Sequence, residues 1–198
     1  MPRSPDLLFA TSNDHKYSEA SEILGGHGLR LGRLECDLVE IQSPSLSEIA
    51  SKKAADALLL CSRPVIAEDA GLFVDSLNGF PGPYSAFVHA TMGCAGVLRA
   101  MASGARTASF CAAVAYAEPG APAPRVFESR VRGTIAHGEL GDGWGYDPIF
   151  VPEGSSETYA QMPDKSRVSH RALALGMLAG WLTRTRQSCA RSGASSCA

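Results

Sequence analysis

Apolar positions along the chain fall into short runs and helical spacings that alternate. The run in Asp6–Ala10 predicts a strand, which breaks at a polar turn into Asn13–Leu24, where Tyr17, Ala20 and Leu24 recur at helical spacing and Gly25-Gly26 supplies a stop. A second strand is expected over Leu34–Ile41, and "SPSLSEIASKKAADALLL" then predicts a helix whose Ser45 and Glu48 have capping-box spacing. "PVIAED" returns as a short, buried strand ending in two acids. Strand-helix alternation of this kind predicts an α/β sheet that binds ligands at the carboxyl ends of its strands.

The second half has a different rhythm. "LNGFPGPYSAF" is a Gly/Pro-dense loop expected to flank a cleft, and the helical "ATMGCAGVLRAM" follows it. "TASFCAAVAYA" and "RVFESRVRGTI" predict two long strands joined by "EPGAPAP", a connection short enough for an antiparallel hairpin, so the sheet is mixed. "GELGDGWGYDPIF" is another glycine-rich loop, and "SHRALALGMLAGWL" predicts a closing amphipathic helix. From about Arg184 the apolar pattern fades, and residues 184–198 are expected to fray as a disordered tail behind a single domain over residues 1–183.

Composition narrows the picture. With 198 residues and 45% hydrophobic content the chain can bury a sizeable core. Its apolar stretches are far shorter than the roughly 20 residues of a membrane span, and "MPRSPDLLFA" lacks a secretory pattern, so a cytoplasmic location is expected. The six cysteines are scattered singly without metal-chelating spacing. A net charge of −2 leaves no global basic field for nucleic acid, so an anionic ligand must be held locally.

Four stretches carry candidate chemistry, each with a plainer alternative. The turn "ATSNDHK" points free N–H groups and a helix dipole at one spot, with Lys16 adding charge; this suits a phosphate, or is an ordinary capped surface turn. Glu68 and Asp69 with Glu40 gather hard oxygen ligands suited to Mg²⁺ bridged to phosphate, or are solvated strand-end acids. "GWGYDP" offers Trp144 as a stacking face between glycines, or plugs the core as a hydrophobic turn. "KSRVSHR" brings Lys165, His170 and Arg171 together at a helix start, as contacts or as structural groups.

Taken in order, "FATSNDHK", "EDAGLFVDSLNGFPGPYSA", "GWGYDPIF" and "KSRVSHR" make the chain resemble the inosine triphosphate pyrophosphatase family over nearly its whole length. The resemblance implies Mg²⁺-dependent hydrolysis of noncanonical purine nucleoside triphosphates (ITP, dITP, XTP) to monophosphate and pyrophosphate. It also implies an elongated mixed β-sheet flanked by helices, with two lobes around the active-site cleft, and a homodimer. It assigns Thr11, Ser12, Asn13, Asp14, His15 and Lys16 to the triphosphate, with Lys53 as a further phosphate contact. Glu40 and Asp69 go to the metal, Asp69 also to activation of the attacking water, with Glu68 assisting. Trp144, Gly145, Tyr146 and Asp147 match the loop that stacks on and reads the purine, and Lys165, His170 and Arg171 the remaining contacts. Ala70 stands where many members have Ser or Thr, Trp144 where Phe is commoner, and Phe87 where many have Arg.

Two rival functions use the same parts: a nucleotide sensor that binds without cleaving, and a pyrophosphatase of similar fold that prefers pyrimidines. The acid pair argues against the sensor, which has little reason to keep two carboxylates beside an anion. Arg171, which can only donate, would reward the 6-carbonyl of inosine and xanthine over the 6-amino group of adenine.

Overall fold

The computed structural model describes residues 4–102 and 104–193, with side chains described as far as residue 187. Its elements run β1 (Leu7–Ala10), α1 (Asp14–Gly26), β2 (Leu31–Leu34), α2 (Leu46–Cys61), β3 (Val65–Val74), α3 (Ser85–Met101), β4 (Thr107–Ala117), β5 (Arg125–Ile135), β6 (Phe150–Pro152), α4 (Lys165–Val168) and α5 (His170–Gly193). The strands form one six-stranded sheet in the order β2-β1-β3-β4-β5-β6. β1 pairs in parallel with β2 and β3, while β3, β4, β5 and β6 pair antiparallel, so the sheet is mixed and helix-flanked as expected. No helix among the described residues is long and apolar enough to cross a membrane.

The two sheet faces are packed differently. On one, Leu175, Leu178 and Leu182 of α5 and Leu24 of α1 bury against Leu7, Phe9, Ile66, Val114 and Tyr116, each large apolar side chain contributing roughly 1.5–3 kcal/mol. On the other, Ala50, Ala54 and Ala57 of α2 lie on Ala10, Ala67, Ala113 and Ala115. Small residues on both sides let α2 come close to the sheet, and Lys53 rides in with it.

Four sequence expectations change. Glu68 and Asp69 do not end a short strand: β3 runs ten residues, to Val74, because β4 pairs with it along its whole length. Residues 35–41 are not a strand; the expected strand Leu34–Ile41 gives way to β2 at Leu31–Leu34, and beyond it the alternating Cys36 and Leu38 pack on the α2-side core without a strand neighbour. Of the capping box only half forms: Ser45 Oγ accepts from the Glu48 N–H, while Glu48 Oε2 accepts from Ser43 Oγ at 2.6 Å. Helix α5 continues past Arg184 to Gly193, since adding a residue to an existing helix gains a hydrogen bond at little cost, and Arg186 pairs with Asp6 at 3.3 Å; residues 194–198 lie outside the described residues.

What positions the site is the free edge of β3. β1 pairs only with Val65 and Ile66. Further along the same edge, the Leu72 N–H donates to Ser85 Oγ (2.8 Å), Ser85 Oγ–H donates to the Gly82 carbonyl (2.7 Å), and Phe73 bridges to Pro81. Between these two coverings, residues 68–70 have no strand beside them on this edge, opposite β4. A cavity opens there.

Candidate active site

The cavity has a volume of about 540 Å³ and is lined by the opening turn, the loop after β2, Lys53, residues 68–70, the start of α3, the loop at 144–147, and Lys165, His170 and Arg171. Four stretches far apart in sequence thus meet in one space. Because successive strand residues face opposite sides, Glu68 turns toward α5 and Asp69 toward α2.

The turn after β1 is built by Asn13, whose N–H donates to Thr11 Oγ1 (3.1 Å) and whose Oδ1 accepts from the Lys16 N–H (3.0 Å). This caps α1 and leaves Thr11, Ser12, Asn13 and Lys16 on the cavity wall. Asp14 and His15 are not part of that wall. Asp14 is exposed and pairs with Arg33 at 2.5 Å, and the His15 ring stacks on Trp144 with centroids 5.5 Å apart.

Asp69 is buried, with one oxygen, Oδ1, 3.8 Å from Lys53 Nζ and the other, Oδ2, without a hydrogen-bond partner. Burial raises its pKa to about 6, against the pull of Lys16 and Lys53. Lys53 Nζ also meets Glu40 Oε2 at 2.6 Å and donates to the Glu68 carbonyl at 3.4 Å. Its neighbour Lys52 pairs with Asp56 instead, and Lys53 is the one of the two on the cavity wall. Among the described residues no three His, Cys, Asp or Glu side chains are placed as a metal cluster. A buried carboxylate oxygen with no partner, beside Glu40, nevertheless fits a hard cation whose remaining ligands come from a phosphate and water.

Glu68 is engaged differently. Its two oxygens accept from Arg171 Nε at 3.0 and 2.8 Å, and Lys16 Nζ lies 3.9 Å away. Burial works to raise its pKa, but Arg171 and Lys16 together outweigh burial and hold it at about 2. Desolvation of Lys16 lowers that ammonium's pKa, with Glu68 opposing the shift.

Arg171 Nη1 donates to Glu19, a residue the sequence reading did not single out. Glu19 also lies 3.8 Å from Lys165 and accepts from Ser169 Oγ at 3.0 Å. Lys165 Nζ meets Asp147 Oδ2 at 2.6 Å, although burial still raises the Asp147 pKa. The only signal for Glu19 in the sequence is its place three residues after Lys16, on the same face of α1.

At the far end, the His170 ring stacks on Phe110 with centroids 4.0 Å apart and planes 6° from parallel. Burial pushes its pKa well below the usual imidazole range, so the ring is neutral, and both nitrogens are buried without partners. A neutral imidazole with one donor and one acceptor unmet is suited to a flat polar ligand. Trp144 is partly exposed, with the Arg171 guanidinium 6.0 Å from its ring centroid, and Gly145 has φ +65°, a conformation that favours glycine. Tyr146 instead turns inward, its hydroxyl donating to the Ser85 carbonyl at 3.1 Å. Ala70 offers only a methyl group, but the alternation that gives Leu72 N–H to the free edge also turns the Ala70 N–H that way. Cys36, His89 and Phe110 line the cavity too, and no motif in the sequence announced them.

The architecture is that of an α/β protein with a mixed sheet interrupted at its site, and comparison with known proteins gives the class. The model of the Ham1 family matches residues 7–181, and the chain belongs to that family. It is 45% identical over 179 residues to a dITP/XTP pyrophosphatase of Methanopyrus kandleri, covering 88% of this chain and 95% of that protein. A dITP/XTP pyrophosphatase of Hyperthermus butylicus is 44% identical over 180 residues, 89% of this chain and 94% of that one. Among solved structures, a HAM1 protein from Coxiella burnetii superposes with a TM-score of 0.79 at 29% identity, covering 91% of this chain and 100% of that one. A nucleoside-triphosphatase (dITP/XTP pyrophosphatase) from Mycobacterium abscessus gives 0.69 at 34% identity, with 87% of this chain and 96% of that one covered. The family resemblance read from the four motifs is borne out.

Proposed function

We propose that this chain hydrolyses noncanonical purine nucleoside triphosphates, dITP, XTP and ITP, to the monophosphate and pyrophosphate. The observation that carries the reading is Asp69: a buried carboxylate with a free oxygen, in one cavity with three lysines and a stacking indole. Lys16 and Lys53 would hold the triphosphate, aided by the N–H groups at the start of α1. Trp144 would cover one face of the base, with His170, Lys165 and the remaining donors of Arg171 reading its edge.

Asp69 and Glu40 would hold Mg²⁺, which when bound neutralises phosphate charge and stabilises the charge that builds during displacement. Asp69 would orient the attacking water and take its proton, with the otherwise unpartnered Oδ2 available to meet it. The water oxygen bonds to the α-phosphorus as the bond from that phosphorus to the α,β-bridging oxygen breaks, so pyrophosphate leaves in one step. Glu68, held by Arg171, is a fixed anion that positions Arg171 and Lys16 rather than a proton carrier.

The protein would act on the cytoplasmic nucleotide pool as a homodimer; exposed Phe80, Tyr84, Phe87 and Met92 support an association surface, Phe87 at 70% exposure most of all. The test is release of phosphate, with inorganic pyrophosphatase added, from ITP, dITP, XTP, ATP, GTP, dTTP and UTP, with Mg²⁺ and with EDTA. Turnover should favour the first three, stop with EDTA and return with Mg²⁺. Tight binding without turnover would instead make the protein a sensor, and a lead for dTTP or UTP would make it a pyrimidine enzyme.

A further inference from the structure

Helix α3 is broken at Gly93, where φ is 63° and ψ is −173°. Nothing lies within 4 Å of a Cβ built there, so space does not call for glycine; the backbone angles do. After the break, buried Cys94 donates its thiol hydrogen to the Gly145 carbonyl, 3.3 Å away. Before it, His89 sets its ring edge-on against Tyr146, with centroids 5.2 Å apart at 88°. The Tyr146 hydroxyl in turn bonds the carbonyl of Ser85, the first residue of α3. Three contacts from one helix therefore fall on two consecutive residues, Gly145 and Tyr146, of the loop that carries Trp144 and Asp147.

A thiol is a weak donor and adds little stability, but Gly145 has a positive φ and no Cβ to restrain it, so a small force on its carbonyl sets the loop's direction. Burial, with Glu139 and Asp147 nearby, pushes the Cys94 thiol up to about 11, which keeps it protonated and able to donate at neutral pH. We infer that the broken helix α3 is the positioning element of the base-contacting loop, with Cys94 and His89 as positioning residues that set base discrimination. This inference rests on the reading of residues 144–147 as the loop that meets the purine. Cys94 does not line the cavity, so its influence reaches a bound base only through the loop, whereas His89 lies on the cavity wall as well.

The test compares full-length wild type with Cys94→Val, Cys94→Ser, His89→Leu and Trp144→Ala, measuring kcat and KM for ITP and ATP and the Tm of each. Cys94→Val, which removes the donor while adding one methyl group, should cut the ITP:ATP ratio of kcat/KM by about tenfold, through a raised KM for ITP with kcat within about twofold. Cys94→Ser, which restores a donor, should recover most of the ratio. His89→Leu should lower the ratio in the same sense, and it carries the test if Cys94→Val does not fold. A ratio that collapses in Trp144→Ala but stays at wild type in Cys94→Val and His89→Leu would overturn the role of α3 while leaving the base-contacting loop in place. A ratio unmoved by Trp144→Ala would overturn the loop reading and this inference with it. Equal losses on ITP and ATP in the α3 variants, tracking Tm, would reduce both residues to structural ones.

Discussion

Two adjacent carboxylates, Glu68 and Asp69, end up with opposite properties because neighbouring strand residues face opposite sides of the sheet. Asp69 looks toward α2, where Lys53 is only a distant partner, and its pKa rises to about 6; Glu68 looks toward α5, where Arg171 grips it, and its pKa falls to about 2. Asp69→Asn keeps the shape but loses the charge and the basicity, so kcat for ITP should fall by roughly a hundredfold or more with nucleotide binding retained. Unchanged turnover would remove Asp69 from the reaction. Glu68 predicts a stability effect instead. Its pKa in the folded protein lies below the ordinary 4.5, so its contribution is complete above about pH 4.5 and is lost as pH falls toward 2, in total about 3 kcal/mol. Denaturant unfolding at pH 7 and pH 3 should therefore show a smaller acid-induced loss in Glu68→Gln than in wild type. Parallel losses would show that Glu68 carries no such linkage.

Among the elements, the junction of β3 with the turn before α3 decides where the site opens. A Cβ on Gly71 would collide with the Gly82 carbonyl, the same carbonyl that Ser85 Oγ holds, two residues beyond Asp69. Gly71→Ala should thus cost about 1–3 kcal/mol by overpacking and lower kcat as well, read as a drop in Tm together with slowed ITP turnover; a Tm equal to wild type would mean the junction yields freely. This junction also marks the limit of what the sequence discloses. The hairpin β4–β5 was legible to the residue, because continuous apolar and alternating runs bounded by Gly and Pro have one natural reading. The acids were legible as a pair but not as mid-strand residues, since their setting depends on β1 stopping short and β4 continuing, and both are facts about partners rather than local pattern. Cys36 and Leu38 misled for the same reason: their alternate partial burial came from packing on the α2-side core rather than from a neighbouring strand. The motif residues Lys16, Lys53, Asp69, Trp144 and Arg171 were recoverable from the chain, whereas Glu19 and Cys94 became visible only through their partners, the Arg171 guanidinium and the Gly145 carbonyl.

Across the whole molecule, these partners join into one network of alternating charge: Lys16 to Glu68, Glu68 to Arg171, Arg171 to Glu19, Glu19 to Lys165 and Lys165 to Asp147. It ties α1, β3, the 144–147 loop and the start of α5 together, and it spans the cavity from the lysine beside the acid pair to the indole. Arg171 is its centre and is 1% exposed. Removing one member of a buried pair leaves the other charge without compensation, which typically costs about 3–5 kcal/mol, whereas removing both costs less. Arg171→Met alone leaves Glu68 with Lys16 as its remaining cationic partner, so burial acts with less opposition to raise its pKa and favour the neutral acid. The combined Arg171→Met and Glu68→Gln variant has no stranded carboxylate on β3, so it should be more stable than Arg171→Met by itself, a coupling that a double-mutant cycle of unfolding free energies measures directly. If the two losses simply add, Arg171 and Glu68 are independent, and the network is a row of contacts rather than a single unit joining the phosphate end of the site to the base end.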